Sequence, residues 1–414
     1  MLNHVSRTAL AAAALVLTGT HGAFAQDATA FADRLVEASK LMGISFSYGA
    51  ATAEGGNVTI SDFTFAIPGE EPTEVPGDVV FEGVAETADG GFTAERASIA
   101  DIEHTSTMDD DGGDEVTVSL VDIVAEGIEL PAEVSIANAV DIGFALYDRI
   151  SAGPLTVSDS KGTELFAIDG LSVWVEEADA EGGVLTGYAI EGIRADLSTV
   201  DEADVKPMIE AFGIEQFGAS MSGEGTWWPE TGRAELSDMS FVLDNLGTVR
   251  MAFAVEGYTR EIYQEMIKLN VKMAEMAEAG QELDDDQLEG MSEAALEMMA
   301  DFKLASGSLR YEDNSLFMKV LDFIGAEQGV DGETFKAALA FMVPMALAEV
   351  ANVEFKTMVN SAVNTFIADP QNFTISVAPE APIAFSEFEA RSDEIENDPF
   401  VLVDMLDLKI TANE

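Results

Sequence analysis

Thr59-Ile60-Ser61-Asp62-Phe63-Thr64-Phe65 and, much later, Glu235-Leu236-Ser237-Asp238-Met239-Ser240-Phe241 share one peculiarity. In each, apolar residues alternate as on a strand with one buried face, then change parity across a Ser-Asp pair. Successive strand side chains point to opposite faces, so an uncompensated change of parity would turn the following apolar set toward water. A strand that keeps its buried face through such a switch needs one extra residue, a β-bulge, or a short break. Shorter versions stand at Phe81-Glu82-Gly83-Val84, Ile168-Asp169-Gly170-Leu171 and Ile190-Glu191-Gly192-Ile193. Together they suggest an internal β-repeat of roughly twenty residues.

The surrounding sequence agrees. Alternation at Val58/Ile60, Phe63/Phe65/Ile67, Leu171/Val173/Val175 and Phe241/Leu243 is punctuated by glycine-containing turns at 55-56, 90-91, 112-113 and 182-183. These are hairpin signals. A helix precedes them, with Phe31, Leu35, Ala38 and Leu41 or Met42 on one face and Gly43 as its stop. From Thr259 the period lengthens: Ile262, Met266, Leu269, Met273 and Met276 mark an amphipathic helix ending at Gly280. Asp284, Asp285 and Asp286 open a second one carrying Leu288, Met291, Ala295 and Met298. A strand is expected at Gly307 to Tyr311, then helices at 316–324, at 333–350 around Pro344, and at 353–367, the last capped by Asn352 and ended by Pro370. A strand at 372–377, a short helix from Asp398-Pro399 and a strand at 406–411 close the chain.

The expected fold is α+β: an extended, curved, mostly antiparallel β-sheet with helices inserted in the C-terminal half. The organisation reads as an export signal over 1–25, a short helix and β-rich repeat-like region over 26–256, a mainly helical region over 257–370, and C-terminal strands with a short helix over 371–414, returning to the sheet.

The export signal rests on Arg7, the apolar run Ala9 to Leu17, and Ala23-Phe24-Ala25, a small-x-small site that places cleavage after Ala25. The apolar run is well short of the ~20 residues a bilayer requires. Ala337 to Ala348, the longest later apolar run, is also too short and holds Pro344. A periplasmic protein with no transmembrane segment in its mature chain is expected. Zero cysteines exclude disulfides, thiol nucleophiles and cysteine metal sites. A formal charge of −57 repels nucleic acid and anionic membranes.

Signals for catalysis are scarce. Beyond the export signal only His104 remains, which rules out two-histidine metal centres and leaves a Ser-His-Asp triad without an elbow motif. No phosphate-binding glycine loop occurs, and no cofactor is expected. With 77 acids, a facing carboxylate pair of glycosidase type carries no information. Trp227-Trp228-Pro229 reads as a hairpin corner whose rings cover core. The run Asp109, Asp110, Asp111, Asp114 and Glu115 offers oxygen ligands for calcium, but Thr107 stands where an EF-hand loop needs its first Asp, and a solvated hairpin tip is the preferred reading. Met266, Met273, Met276, Met291 and Met298 line helix faces; core packing is the default, and a flexible thioether groove for an apolar small molecule or lipid is the functional alternative.

Two further stretches carry a resemblance. Leu243-Asp244-Asn245-Leu246-Gly247-Thr248-Val249 leads toward the helix at Thr259, and Gly307-Ser308-Leu309-Arg310-Tyr311-Glu312-Asp313-Asn314-Ser315-Leu316 leads into another. With the β texture before them, these stretches resemble the uncharacterised periplasmic β-repeat proteins of Gram-negative bacteria, distantly the AsmA-like and YdgA-like groups. That resemblance implies an apolar inner sheet surface and a part in envelope lipid handling or assembly, and it carries no catalytic residues. The chain departs from the AsmA-like pattern in its short N-terminus and its acidity. The expected function is therefore non-enzymatic: binding or envelope maintenance, with lipid or another apolar ligand in a sheet groove. A structural or interaction protein whose acidic surface meets cations or a basic partner is the second expectation, and a carboxylate-based hydrolase the third.

Overall fold

A computed structural model describes residues 27–66, 72–107, 115–179, 182–198, 200, 205–278, 298–300 and 302–414, with the side chains of 273–278 excepted. The expected export signal, Asp109, Asp110, Asp111, Asp114, Met291 and the helix start at Asp284 lie outside the described residues.

In chain order the elements are α1 (Ala28–Leu41), β1 (Ser45–Ser47), β2 (Ala50–Glu54), β3 (Asn57–Ser61), β4 (Thr64–Ala66), β5 (Thr73–Glu74), β6 (Val79–Glu82), β7 (Ala85–Glu86), β8 (Phe92–Ile99), β9 (Ile102–Thr107), β10 (Glu115–Leu120) and β11 (Ile123–Leu130). After a 3₁₀ turn come α2 (Ala139–Ala145), β12 (Arg149–Ala152), β13 (Leu155–Asp159), β14 (Glu164–Ile168), β15 (Gly170–Glu177), β16 (Val184–Asp196), α3 (Lys206–Phe212), β17 (Gln216–Trp228), β18 (Arg233–Leu243) and β19 (Gly247–Glu256). The remainder is α4 (Arg260–Glu278), β20 (Lys303–Asp313), α5 (Leu316–Glu327), α6 (Gly332–Ala346), α7 (Val353–Ala368), β21 (Asn372–Val377), β22 (Ile383–Ala384), α8 (Phe385–Ala390), α9 (Ser392–Asn397), α10 (Val401–Met405) and β23 (Lys409–Ala412). The fold is α+β, and the strand pairs with a described register are antiparallel. The chain forms two compact units, one of residues 1–191, 228–232 and 258–296, the other of 192–227, 233–257 and 297–414.

In the first unit the parity switches are breaks, and they line up. Ile99 pairs with Ile123 and Ile102 with Leu120, so Ala100-Asp101 faces Val121-Asp122 while the register carries through. Val121-Asp122 in turn faces Gly153-Pro154, where Gly153 N donates to Val121 O at 2.9 Å. Gly153-Pro154 faces Asp169-Gly170, whose Asp169 N donates to Glu191 O at 2.9 Å. Each break swaps the strand's parity where its neighbour swaps too, so Ile99 with Ile102, Leu120 with Ile123, and Ala152 with Leu155 are all buried. Ile60 with Phe63 and Phe81 with Val84 repeat the device, with Asp62 and Gly83 at positive φ.

The buried face is covered by α1. Phe31, Leu35, Ala38 and Leu41 point inward, and the Phe31 ring meets Phe81 and Phe92 edge-on at centroid distances of 5.2 and 5.6 Å. The helix starts where Asp27 accepts from Ala30 N and stops before Gly43 at φ 75°. α4 packs on α1 and α2, and among its described side chains Ile267 is the buried one, beside Tyr263 and Val271. Of the expected stripe of Ile262, Met266, Leu269, Met273 and Met276, Ile262 and Leu269 are half-buried and Met266 is exposed, because the side of α4 that meets α1 and α2 is centred on Ile267; the side chains of Met273 and Met276 lie outside the described residues. Arg260 at the start of α4 ties Asp141 at 2.9 Å and Glu230 at 3.2 Å.

Candidate functional site

The second unit contains a sheet whose apolar face is only partly covered. The bulge expected at Ser237-Asp238 is present: Leu236 pairs with Phe253 and Met239 with Met251, leaving two residues of β18 opposite Ala252. Directly paired residues of antiparallel strands share a face, so the bulge keeps Leu236, Met239 and Phe241 on one side despite their change of parity.

The registers then build apolar rows across the strands. One row is Met239, Met251, Leu309, Ile375 and Ile410, on β18, β19, β20, β21 and β23. At the usual strand spacing of about 4.8 Å it is roughly 19 Å wide. A second row holds Phe241, Val249, Tyr311 and Phe373, and a third Leu236, Phe253, Gly307 and Val377. The opposite face of the same strands is polar. There Arg250 lies 3.2 Å from Asp238 and 3.6 Å from Glu312, Arg310 lies 2.9 Å from Glu312, and the Ser222 and Ser240 hydroxyls are 3.0 Å apart.

Helices cover one end of the apolar face. α7 begins where Asn352 Oδ1 accepts from Phe355 N at 2.9 Å, and its Phe366 packs on Tyr311, Phe373 and the α5 residue Phe317 at centroid distances of 6.1, 5.8 and 5.0 Å. The Tyr311 hydroxyl donates to Asp313 Oδ1 at 2.6 Å, and the same oxygen accepts from Phe317 N at 2.8 Å, joining the end of β20 to the start of α5. Burial first, then this hydrogen bond, pushes the Tyr311 phenol above its ordinary range. Met358 Sδ accepts from Ile410 N on β23. Beyond this cover Met251, Phe253, Leu309 and Ile375 remain exposed, Leu309 by 46%. They form an apolar floor beside an aromatic wall. Its residues are hydrocarbon and thioether, a lining chemically suited to apolar contact.

The other sequence-level candidates stand apart from this floor. Met266 is exposed on α4 in the first unit; Met273 and Met276 belong to the same helix, and Met298 is half-buried in the second unit. Glu115 starts β10, and His104 is an exposed residue of β9 paired with Val118. Among the described residues no group of three His, Asp or Glu side chains converges as a metal site. Trp227 is buried at the β17–β18 corner, as expected, and Trp228 Nε1 donates to Asp179 Oδ2 at 3.0 Å. In the first unit Tyr48 donates to Asp33 at 2.7 Å beside an open cleft; desolvation, then the Asp33 bond, raises its phenol to about 12. No described helix is long and apolar enough to cross a membrane.

Sequence reasoning missed Met251, Phe253, Leu309 and Ile375. Their alternation was visible, but strands with a covered face alternate in the same way.

Fold and site together define an α+β protein of antiparallel bulged strands with an open apolar sheet face. Residues 240–413 match a family model described as an uncharacterized protein, a span that contains the whole floor and its helical wall. No curated protein matches the chain.

Proposed function

We propose that this is an exported, non-enzymatic envelope protein that holds a lipid acyl chain on the apolar face of its C-terminal sheet. The observation that carries the reading is the exposed floor of Met251, Phe253, Leu309 and Ile375 on a sheet whose other face bears the ion pairs. Contiguous exposed apolar surface of this kind marks binding sites. Methionine side chains at Met239 and Met251 let such a surface adapt to a flexible chain. An uncharged acyl chain also avoids the repulsion that a charge of −57 imposes on anionic partners. Arg7, the apolar run after it and Ala23-Phe24-Ala25 support export, and the distant resemblance of the repeats to AsmA-like and YdgA-like proteins would fit the same envelope setting.

The test is native mass spectrometry of the full chain offered a saturated long-chain monoacylglycerol, which carries no charge. One bound equivalent is expected, lost in Leu309→Glu, where a carboxylate would be set in the middle of the floor, with far-UV circular dichroism unchanged. A wild-type protein that stays ligand-free throughout the titration would overturn the reading.

A further inference from the structure

A different surface of the second unit has its own chemistry. α6 packs on α5 and α7. Its residues Phe335, Leu339 and Val343 are half-buried, at the spacing of one helix face. The other side of α6 is apolar as well, and open: Phe341 is 73% exposed, Met342 58% and Met345 64%, while Val353 at the first turn of α7 is 72% exposed. From Ala337 to Ala348 the chain has no charged residue, although 23% of the whole sequence is charged. Lys336 and Lys356 flank the stretch, and Lys356 Nζ donates to Ala348 O at 3.2 Å, which holds a cation at the α6–α7 corner.

We propose that the α6–α7 corner is a membrane-surface anchor, with Phe341, Met342, Met345 and Val353 entering the acyl boundary of a zwitterionic lipid layer. Charge selects this occupant. A second copy of the chain would bring another −57 against the first, and an anionic lipid surface would repel it likewise. A zwitterionic surface carries no net charge to oppose the approach. Size agrees: four exposed side chains fall far short of the roughly 20 residues a side in a stable protein interface, yet a single apolar helix face is the usual unit of interfacial binding. Lysine stems beside the inserted residues lie along the boundary with their ammonium groups in water. The carboxylates of Glu349 and Glu354 border the same corner and limit insertion to the boundary layer. This anchor goes beyond the acyl-chain site and stands independently of it, since none of its residues belongs to the floor.

The experiment is flotation of the full chain with phosphatidylcholine vesicles, compared with vesicles containing phosphatidylglycerol. Wild-type protein is expected to float with the first and to float less as the anionic lipid is added. The double variant Phe341→Ser, Met345→Ser is expected to show a partition coefficient lower by roughly a hundredfold, the order lost with two inserted apolar side chains. Its circular dichroism and its uptake of monoacylglycerol should equal the wild type's, so that failure of the anchor and failure of the floor are read separately. Equal flotation of variant and wild type, or a wild type that stays at the bottom, overturns the proposal. So does a wild-type dimer in sedimentation that the double variant abolishes, which would make the corner a self-association surface.

Discussion

Gly127 lies in β11 at φ 67°, and a Cβ added there would meet Asp148 Oδ2 at 1.9 Å. Gly162 has a similar φ of 81°, at the turn between β13 and β14, with nothing within 4 Å of its added Cβ. Both positions favour glycine for conformational reasons, but only the first also needs the space. Gly127→Ala should therefore lower the urea midpoint more than Gly162→Ala, with a loss beyond the ~1 kcal/mol that backbone strain alone brings. Equal midpoints would mean that the Asp148 side chain simply swings aside. The breaks at Asp62, Gly83 and Asp169-Gly170 were legible in the sequence because parity is a local property, whereas those at Asp101, Asp122 and Gly153-Pro154 emerged only from the strand pairing. The crowding at Gly127 was not, because Asp148 reaches it only through the pairing of distant strands.

Among the elements, α7 links the floor to its wall. Its boundaries are local in origin, with Asn352 as N-cap and Pro370 beyond its end, and both were read from sequence. Replacing Asn352 by Ala removes the bond to Phe355 N and should cost about 1 kcal/mol, the usual worth of such a cap, seen as a lower thermal midpoint. A variant as stable as the wild type would show that packing of Phe366 against Tyr311, Phe317 and Phe373 holds the helix without its cap. The α4 helix teaches the converse. The sequence marked Ile262, Met266 and Leu269, but Met266 is exposed and the buried residue is Ile267, with half-buried Tyr263 and Val271 beside it, on the side that meets α1 and α2. Helical periodicity states that a helix has an apolar face; its neighbours choose which one is used.

For the molecule as a whole, 77 acids against 20 Lys and Arg make self-repulsion the dominant long-range electrostatic effect. Sodium chloride shortens the Debye length from about 10 Å at 0.1 M to about 3 Å at 1 M, so the thermal midpoint should rise across that range. A falling midpoint would assign more weight to pairs such as Arg260 with Asp141 and Glu230 than their surface exposure suggests. The α+β class, the strand breaks at Ser-Asp and Asp-Gly, and the helix caps were all properties of the amino-acid order, because each depends on residues within a turn or a strand of one another. Which apolar face stays open was decided only by tertiary structure. Met251 and Leu309 alternate in sequence just as Ile60 and Val58 do, but α1 lies over the first unit's face, whereas α7 covers Tyr311 and Phe373 and leaves Leu309 exposed. Exposure depends on where distant chain segments come to rest, and that information is not carried by the strand itself.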